Sequence, residues 1–273
     1  MDFESLRQFF SRYSAVVITG ESSGIGAGML NRLLELIPST LLINVSRSCP
    51  EGFGESSNRL HFACNLLHSE AIQVAHGKIL EALQGAPNGP ILFINNSGVG
   101  YVGKFHQLSL EQHLTVIDLN IRGTVNLTMR LLPELVKRGG DILTIASTSA
   151  FQPTPRFTTY GASKSFLMHW SLAMSEDLRG TDVHTLVVCP GPTRTPFIHA
   201  AGINEDAPLP SGFQTVDEVV FSSLRALKKR KRLHTPGFWN RILAGISAPA
   251  PKWLSTRVAA RIMDRSAYAA TAI

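Results

Sequence analysis

Ala15-Val16-Val17-Ile18-Thr19-Gly20-Glu21-Ser22-Ser23-Gly24-Ile25-Gly26 is an apolar, β-branched run followed at once by a glycine-rich turn. The run lacks the polar alternation of a half-exposed strand, so it reads as a strand buried on both faces. Beyond the turn, Met29, Leu30, Leu33, Leu34 and Ile37 form a wide apolar stripe at helical spacing, closed by Pro38. Strand, tight turn and helix therefore follow one another within about twenty-five residues, the length of one unit of a parallel sheet.

Outward from this unit the pattern repeats. Short apolar runs recur at 41–45, 60–63, 91–95, 142–146 and 183–188, and helical periodicity fills 110–132 and 160–178. Doubly buried strands with helices between them predict an α/β fold: a doubly wound parallel sheet in three layers. Loops rich in Gly, Pro and Ser lie at 46–58, 84–90 and 200–212, but the alternation resumes after each, so none is a domain linker. The last is long and apolar enough to serve as a lid.

Composition agrees. The chain has 273 residues, 44% of them hydrophobic and 17% charged, which excludes a disordered or collagen-like protein. Its net charge of +6 is unevenly spread: residues 1–224 hold 15 Lys and Arg against 19 Asp and Glu, whereas residues 225–265 hold 11 basic residues and only Asp264. Cys49, Cys64 and Cys189 are odd in number and far apart, with no metal-ligand spacing, which predicts a reduced, cytoplasmic chain. No apolar stretch reaches the roughly 18 residues needed to span a bilayer. The nine histidines carry no HExxH or similar pattern, so no metal is expected.

Two further patterns carry chemistry. Glycines after a first strand let the backbone approach a pyrophosphate, whose charge meets the free N–H groups of the following helix. Tyr160 and Lys164 stand one helical turn apart, on one face. An ammonium near a phenol favours the phenolate, so the pair can exchange protons near neutral pH. Ser147 ends the fifth strand, where parallel-sheet enzymes gather ligand-binding groups.

Together these residues resemble the short-chain dehydrogenase/reductase family over about residues 13–236. The matching motifs come in order: 19–26, Asn95-Asn96-Ser97-Gly98 after the fourth strand, Asn120 in a helix, Ser147 with Tyr160 and Lys164, and Pro190-Gly191-Pro192-Thr193-Arg194-Thr195 after the sixth strand. The resemblance implies a Rossmann-type domain over 1–236 and hydride transfer between a nicotinamide dinucleotide and a carbonyl or alcohol. Tyr160 would be the acid and base, and Lys164 would bind the ribose and lower the tyrosine pKa. Ser147 would orient the carbonyl, and Asn120 would hold a water linking Lys164 to solvent. Gly20, Ser22, Ser23, Gly24, Ile25 and Gly26 would cradle the pyrophosphate. Asn65, Asn96, Ser97 and Gly98 would border the cofactor, Pro190 and Gly191 would line the nicotinamide, and Thr195 would clamp its carboxamide. Homodimers or homotetramers are implied by resemblance alone.

Cofactor choice turns on the end of the second strand. No acid stands there to accept from a ribose 2′-hydroxyl; Ser46 takes that place and Arg47 follows, able to pair with a 2′-phosphate, so NADP(H) is favoured over NAD(H). Three departures stand out: Asn65 and Ser97 replace the family's usual Asp and Ala, and Glu21 brings a carboxylate into the phosphate turn. Ser149 is a poorer match than Ser147 for the serine role. With Phe151, Phe157 and Phe197 it makes a candidate substrate wall that suits an apolar carbonyl compound.

The C-terminal part reads separately. Thr215-Val216-Asp217-Glu218 opens a helix with a capping box, and 233–235 suggests a short last strand. Residues 237–273 form a helical extension: Trp239, Ile242, Leu243 and Ile246 make one stripe, and Leu254, Val258 and Ile262 a second beside Arg257, Arg261 and Arg265. These stripes suit packing over the catalytic domain, a second subunit or a peripheral contact with an anionic membrane; no nucleic-acid motif accompanies the charge. The rival to an enzyme is a nucleotide-binding regulator or scaffold without turnover.

Overall fold

The computed structural model describes residues 2–266 apart from 51, 52, 54, 55, 205–208 and 210, so much of the expected lid lies outside the described residues. Along the chain run α1 (Asp2–Phe10), β1 (Ala15–Thr19), α2 (Gly24–Leu36), β2 (Leu41–Ser46), β3 (Arg59–Ala63), α3 (Ser69–Gly85), β4 (Ile91–Asn95), α4 (Leu110–Ile117) and α5 (Thr124–Arg138). Then come β5 (Gly140–Ile145), α6 (Thr158–Asp177), β6 (Val183–Val188), α7 (Pro196–Ala201), α8 (Val216–Lys228), β7 (Leu233–His234), α9 (Phe238–Ser247) and α10 (Lys252–Ser266). The seven strands form one parallel sheet in the order β3-β2-β1-β4-β5-β6-β7. This is the Rossmann-type architecture expected, with C-terminal helices added.

Alternation within β1 makes the three layers. Val16 and Ile18 pack with Met29 and Leu33 of α2 and with Val220 and Leu224 of α8, while Ala15 and Val17 turn to Ile72 and Ile79 of α3 and Leu127 and Leu131 of α5. Each such fully buried Leu or Ile contributes about 1.5–3 kcal/mol of hydrophobic stabilisation. Helix α1, which the sequence reading did not anticipate, adds Leu6 and Phe10 to the first of these cores.

The helical stretch expected over 110–132 is not uniform. Between α4 and α5 the chain widens into a π-helical turn, Asp118–Gly123, which places Asn120 inward and fully buried. Gly123 permits this, because a Cβ there would stand 2.5 Å from the Leu66 carbonyl oxygen. Since strand order reverses between β1 and β4, the crevice for a ligand opens at the carboxyl ends of those two strands.

At the opposite, amino end of the sheet, fully buried Asp141 gathers four partners. It pairs with Arg12, accepts from Tyr13 Oη at 2.5 Å, and lies 3.0 Å from both Arg230 Nη1 and His184 Nδ1. Asp141→Ala leaves two guanidinium groups without their counter-ion, and a loss of about 3–5 kcal/mol follows. Thermal unfolding followed by circular dichroism reads it as a drop in Tm, with Asp141→Asn losing less because its carbonyl oxygen still accepts from one side of the cluster.

Candidate active site

The glycine turn is held open by the neighbouring strand end. Asn96 Nδ2 donates to the Thr19 carbonyl at 3.1 Å and to the Gly20 carbonyl at 2.7 Å, while Thr19 Oγ1 accepts from the backbone N–H groups of Asn96 and Ser97. Gly20 and Gly24 have φ of +70° and +60°, which glycine adopts at no steric cost. A Cβ at Gly20 would lie 2.6 Å from Ser97 Oγ, and one at Gly26 would lie 2.3 Å from the Gly20 oxygen. These are the dimensions of a backbone cradle with the N-terminus of α2 behind it, and they fit a dinucleotide pyrophosphate.

A cavity of about 840 Å³ runs from this cradle to α10. Gly20, Ser22, Ser23, Gly24, Ile25, Ser46, Arg47, Asn65, Asn96, Ser97, Gly98, Ser147, Tyr160, Lys164, Pro190, Gly191 and Thr195 all line it. Gly26 and Asn120 stand behind the wall instead, where they shape the turn and the floor. Exposed Arg47 sits at one end of the cavity and makes no ion pair among the described residues. Asn65 Oδ1 accepts from the Leu67 N–H, so its side chain braces the loop after β3.

Glu21 is fully buried, off the cavity lining, and neither carboxyl oxygen has a hydrogen-bond partner. Burial pushes its pKa up to about 8. Nearby Ser46 opposes this only weakly, because the one proton of its hydroxyl is directed to Asn44 Oδ1 or the Ser48 carbonyl, each at 2.8 Å. At neutral pH Glu21 is therefore largely an uncharged acid, so the residue noted in the phosphate turn brings little negative charge there.

The groups expected to transfer protons line this cavity together. Tyr160 is buried, with its ring stacked 4.0 Å from that of Phe157, and Phe197 tilts against it at 5.5 Å. Burial raises its pKa to about 12, and a hydrogen bond with Ser147 pulls the other way. Lys164 Nζ donates to the Ile145 carbonyl at 2.9 Å and lies 5.6 Å from the centre of the Tyr160 ring; burial lowers its pKa to about 8. Asn120 clasps the Val99 backbone through Oδ1 and Nδ2, both at 2.9 Å, and also donates to Ser163 Oγ at 3.0 Å. Ser163 in turn donates to the Tyr160 carbonyl, so Asn120 fixes both the loop after β4 and the turn of α6 that carries Tyr160.

Among the expected substrate residues, Ser149, Phe157 and Phe197 line the cavity, and Ser149 Oγ is buried without a partner. Phe151 does not: it packs instead on the apolar cluster of Ala146, Ala150, Leu167 and Met168. Three contributors escaped the sequence reading. Gly100 lets the Phe157 and Tyr160 rings pack onto the backbone, where a Cβ would come within 2.6 Å and 2.8 Å of them. Asn240 of α9 lies so close to Gly191 that a Cβ there would stand 2.3 Å from its amide nitrogen, and Gln214 accepts from that amide at 2.8 Å. A polar Asn between Trp239 and Arg241 on the inner face of an amphipathic helix was the available signal.

The roof of the cavity is the C-terminal extension. Leu243, Ile246 and Ser247 of α9, with Leu254, Val258 and Ile262 of α10, line it from above. Asp264 ties α10 to Arg156, which follows the Ser147 loop, through an ion pair of 2.6 Å.

Fold and site thus define a nucleotide-binding oxidoreductase scaffold, and the comparisons name its class. Residues 14–206 match the family model for short chain dehydrogenases, and the chain belongs to the short-chain dehydrogenase/reductase family, NAD(P)-dependent oxidoreductases acting on CH–OH and C=O groups. It is 30% identical over 224 residues to the ketoacyl reductase HetN of Nostoc sp., covering 79% of this chain and 75% of that protein. It is also 29% identical over 206 residues to the serine 3-dehydrogenase of Agrobacterium fabrum, covering 70% and 77%. A short chain dehydrogenase from Burkholderia cenocepacia, solved in complex with NADP, superposes with a TM-score of 0.75 at 23% identity, over 90% of this chain and 98% of that one. The fold is shared equally by a 3-ketoacyl-(acyl-carrier-protein) reductase from Brucella melitensis complexed with NADH, with a TM-score of 0.72 at 19% identity over 82% and 96%.

Buried Glu21 gives a pH signature. Its folded pKa of about 8 lies above the ordinary 4.5, so the proton is held more tightly in the folded chain. Stability is therefore full below pH 4.5 and falls as pH rises to about 8, by on the order of 4 kcal/mol. Glu21→Gln removes that fall: melting curves of variant and parent coincide near pH 4.5 and separate by several degrees near pH 8, the variant being the more stable.

Proposed function

We propose that this protein is an NADP(H)-dependent carbonyl reductase or alcohol dehydrogenase for an apolar substrate. The reading is carried by one observation: Arg47 at one end and Ser147, Tyr160 and Lys164 at the centre line a single cavity whose far wall is apolar. In this reading Arg47 pairs with the 2′-phosphate, the cradle at 20–26 holds the pyrophosphate, and Lys164 binds the ribose. The bound dinucleotide supplies or accepts the hydride at the carbinol carbon.

Everything else falls to the chain's own groups. Ser147 orients the carbonyl oxygen, and Tyr160 gives it a proton in reduction or takes it back in oxidation. Tyr160 is a neutral phenol across the physiological range, the form that reduction needs. Proton return runs by way of Lys164. Asn120 Oδ1 faces it across Gly98, from which a Cβ would lie 3.2 Å from Nζ and 3.3 Å from Oδ1, and one Oδ1 lone pair remains for a relaying water once the Val99 N–H is served. Residues 1–236 hold cofactor and catalysis, and the described part of the extension, 237–266, borders the substrate end. Exposed Leu110, Leu114 and Ile117 of α4, Met129 of α5 and Phe166 of α6 support pairing of copies into a homodimer or homotetramer through these helices. Buried, unpaired Cys64 and Cys189 support a reducing cytoplasmic setting.

Carbonyl substrates screened with NADPH test the reading. Tyr160→Phe lowers kcat for reduction by about 10²–10⁴-fold while NADPH binding, read by its fluorescence, is kept. In the parent protein the oxidation rate climbs with pH as the phenol ionises, whereas reduction persists into alkaline solution. Binding of nucleotide without turnover of any substrate would leave a regulator or scaffold instead. Arg47→Ala weakens NADPH by about 10–100-fold and leaves NADH nearly unchanged; equal losses for both would refute the 2′-phosphate assignment.

A further inference from the structure

The basic residues of 225–265 separate into two groups. Near the end of α8, Lys228 meets Ser5, Arg230 meets Asp141 and Arg232 meets Glu176, with Lys229 and Lys231 exposed between them. Arg241, Lys252, Arg257 and Arg261 of α9 and α10 instead stand exposed and make no ion pair among the described residues. Asp264, the acid nearest them in sequence, is already committed to Arg156.

Apolar groups gather on the same two helices. Of the seventeen large hydrophobic side chains exposed among the described residues, seven fall within 238–258: Phe238, Trp239, Leu243, Ile246, Trp253, Leu254 and Val258. Trp239 and Trp253 are 61% and 63% exposed. Leu243, Ile246, Leu254 and Val258 are 40%, 64%, 43% and 47% exposed and yet also line the cavity, so they form its rim. The mouth of the cavity is thus apolar, and the two helices that rim it also carry exposed tryptophans and cations without ion pairs among the described residues. No described helix is long and apolar enough to cross a membrane, and α9 and α10, of 10 and 15 residues, suit lying along a surface.

We propose that the outer face of α9 and α10 docks on an anionic lipid bilayer, so that the cavity mouth opens toward the hydrocarbon and an apolar carbonyl substrate enters from the membrane. Charge selects this occupant: four unpaired cations complement anionic headgroups and repel the identical face of a second copy, for which the apolar face on α4, α5 and α6 is available. Entry of substrate by this route rests on the carbonyl reductase reading; docking itself does not.

The test uses the full chain and vesicles of phosphatidylcholine with about 30 mol % phosphatidylserine, beside vesicles of phosphatidylcholine alone. The chain is expected to sediment with the anionic vesicles, to bind neutral ones far more weakly, and to be released by salt. Arg241→Glu with Arg257→Glu lowers partitioning by about two orders of magnitude. Trp239→Ser with Trp253→Ser lowers it by about tenfold and abolishes the blue shift of tryptophan emission on binding. None of these four side chains lines the cavity, so melting temperature and NADPH affinity stay at parental values and show that the variants fold. Absence of sedimentation with anionic vesicles overturns the proposal. So does binding that ignores both double substitutions, or a solution dimer that the tryptophan variant dissolves while the parent ignores vesicles. Vesicle binding by a protein that reduces no carbonyl compound supports docking and removes only the proposed activity; reduction without vesicle binding does the reverse.

Discussion

Asn96 bridging the Thr19 and Gly20 carbonyls is the contact on which the site's geometry depends. Two adjacent parallel strands, β1 and β4, send their following helices to opposite faces of the sheet, so their ends must part. Backbone groups exposed by that parting would be costly to bury unpaired. The Asn96 amide serves two of the carbonyls and Thr19 Oγ1 serves two of the N–H groups, which stabilises an open crevice in a parallel sheet. Glycine at 20 and 26 is then required by contact distance, since any side chain would strike the opposite wall.

Within that crevice two polar side chains are kept in place by hydrogen bonds to the backbone. Lys164 is held by a strand-end carbonyl, and Asn120 by the N–H and the carbonyl of Val99 and by Ser163. Buried polar groups that are satisfied in this way are rigid, and rigidity is what proton transfer over hydrogen-bond distances demands. Ser149 Oγ is buried without a partner, and behind the wall Glu21 avoids the desolvation cost by staying neutral rather than by finding one.

Much of this was legible in the sequence for identifiable reasons. Strands of the sheet's interior announce themselves as near-continuous apolar runs, and six of the seven strands, the half-buried edge strand β3 among them, were placed from such runs, β2, β3 and β5 with ends displaced by one or two residues. Ser147, Tyr160 and Lys164 were legible because they sit at strand and helix positions whose spacing the fold fixes. Phe151 was misplaced because it follows Ser147 in a short helical turn, Thr148–Phe151, where neighbouring residues point in different directions. The widened turn at Asp118–Gly123 left no periodic mark, and α1 is too short and too mixed in composition to stand out. Asn240 belongs to a different category: its role comes from tertiary contact with Gly191, nearly fifty residues away.

The Asp141 cluster links parts of the chain that otherwise have little to do with one another. Arg12 and Tyr13 lead into β1, and Arg230 lies three residues before β7. From β7 the chain passes into α9 within four residues, and α9 begins the roof. A carboxylate at the amino end of the sheet therefore anchors the edge strand from which the roof is suspended, about 20 Å away along a strand. One of the ties that lead to the cavity's cover thus lies at the far end of the sheet from the site, beside the direct ones through Asn240 and the Arg156–Asp264 pair.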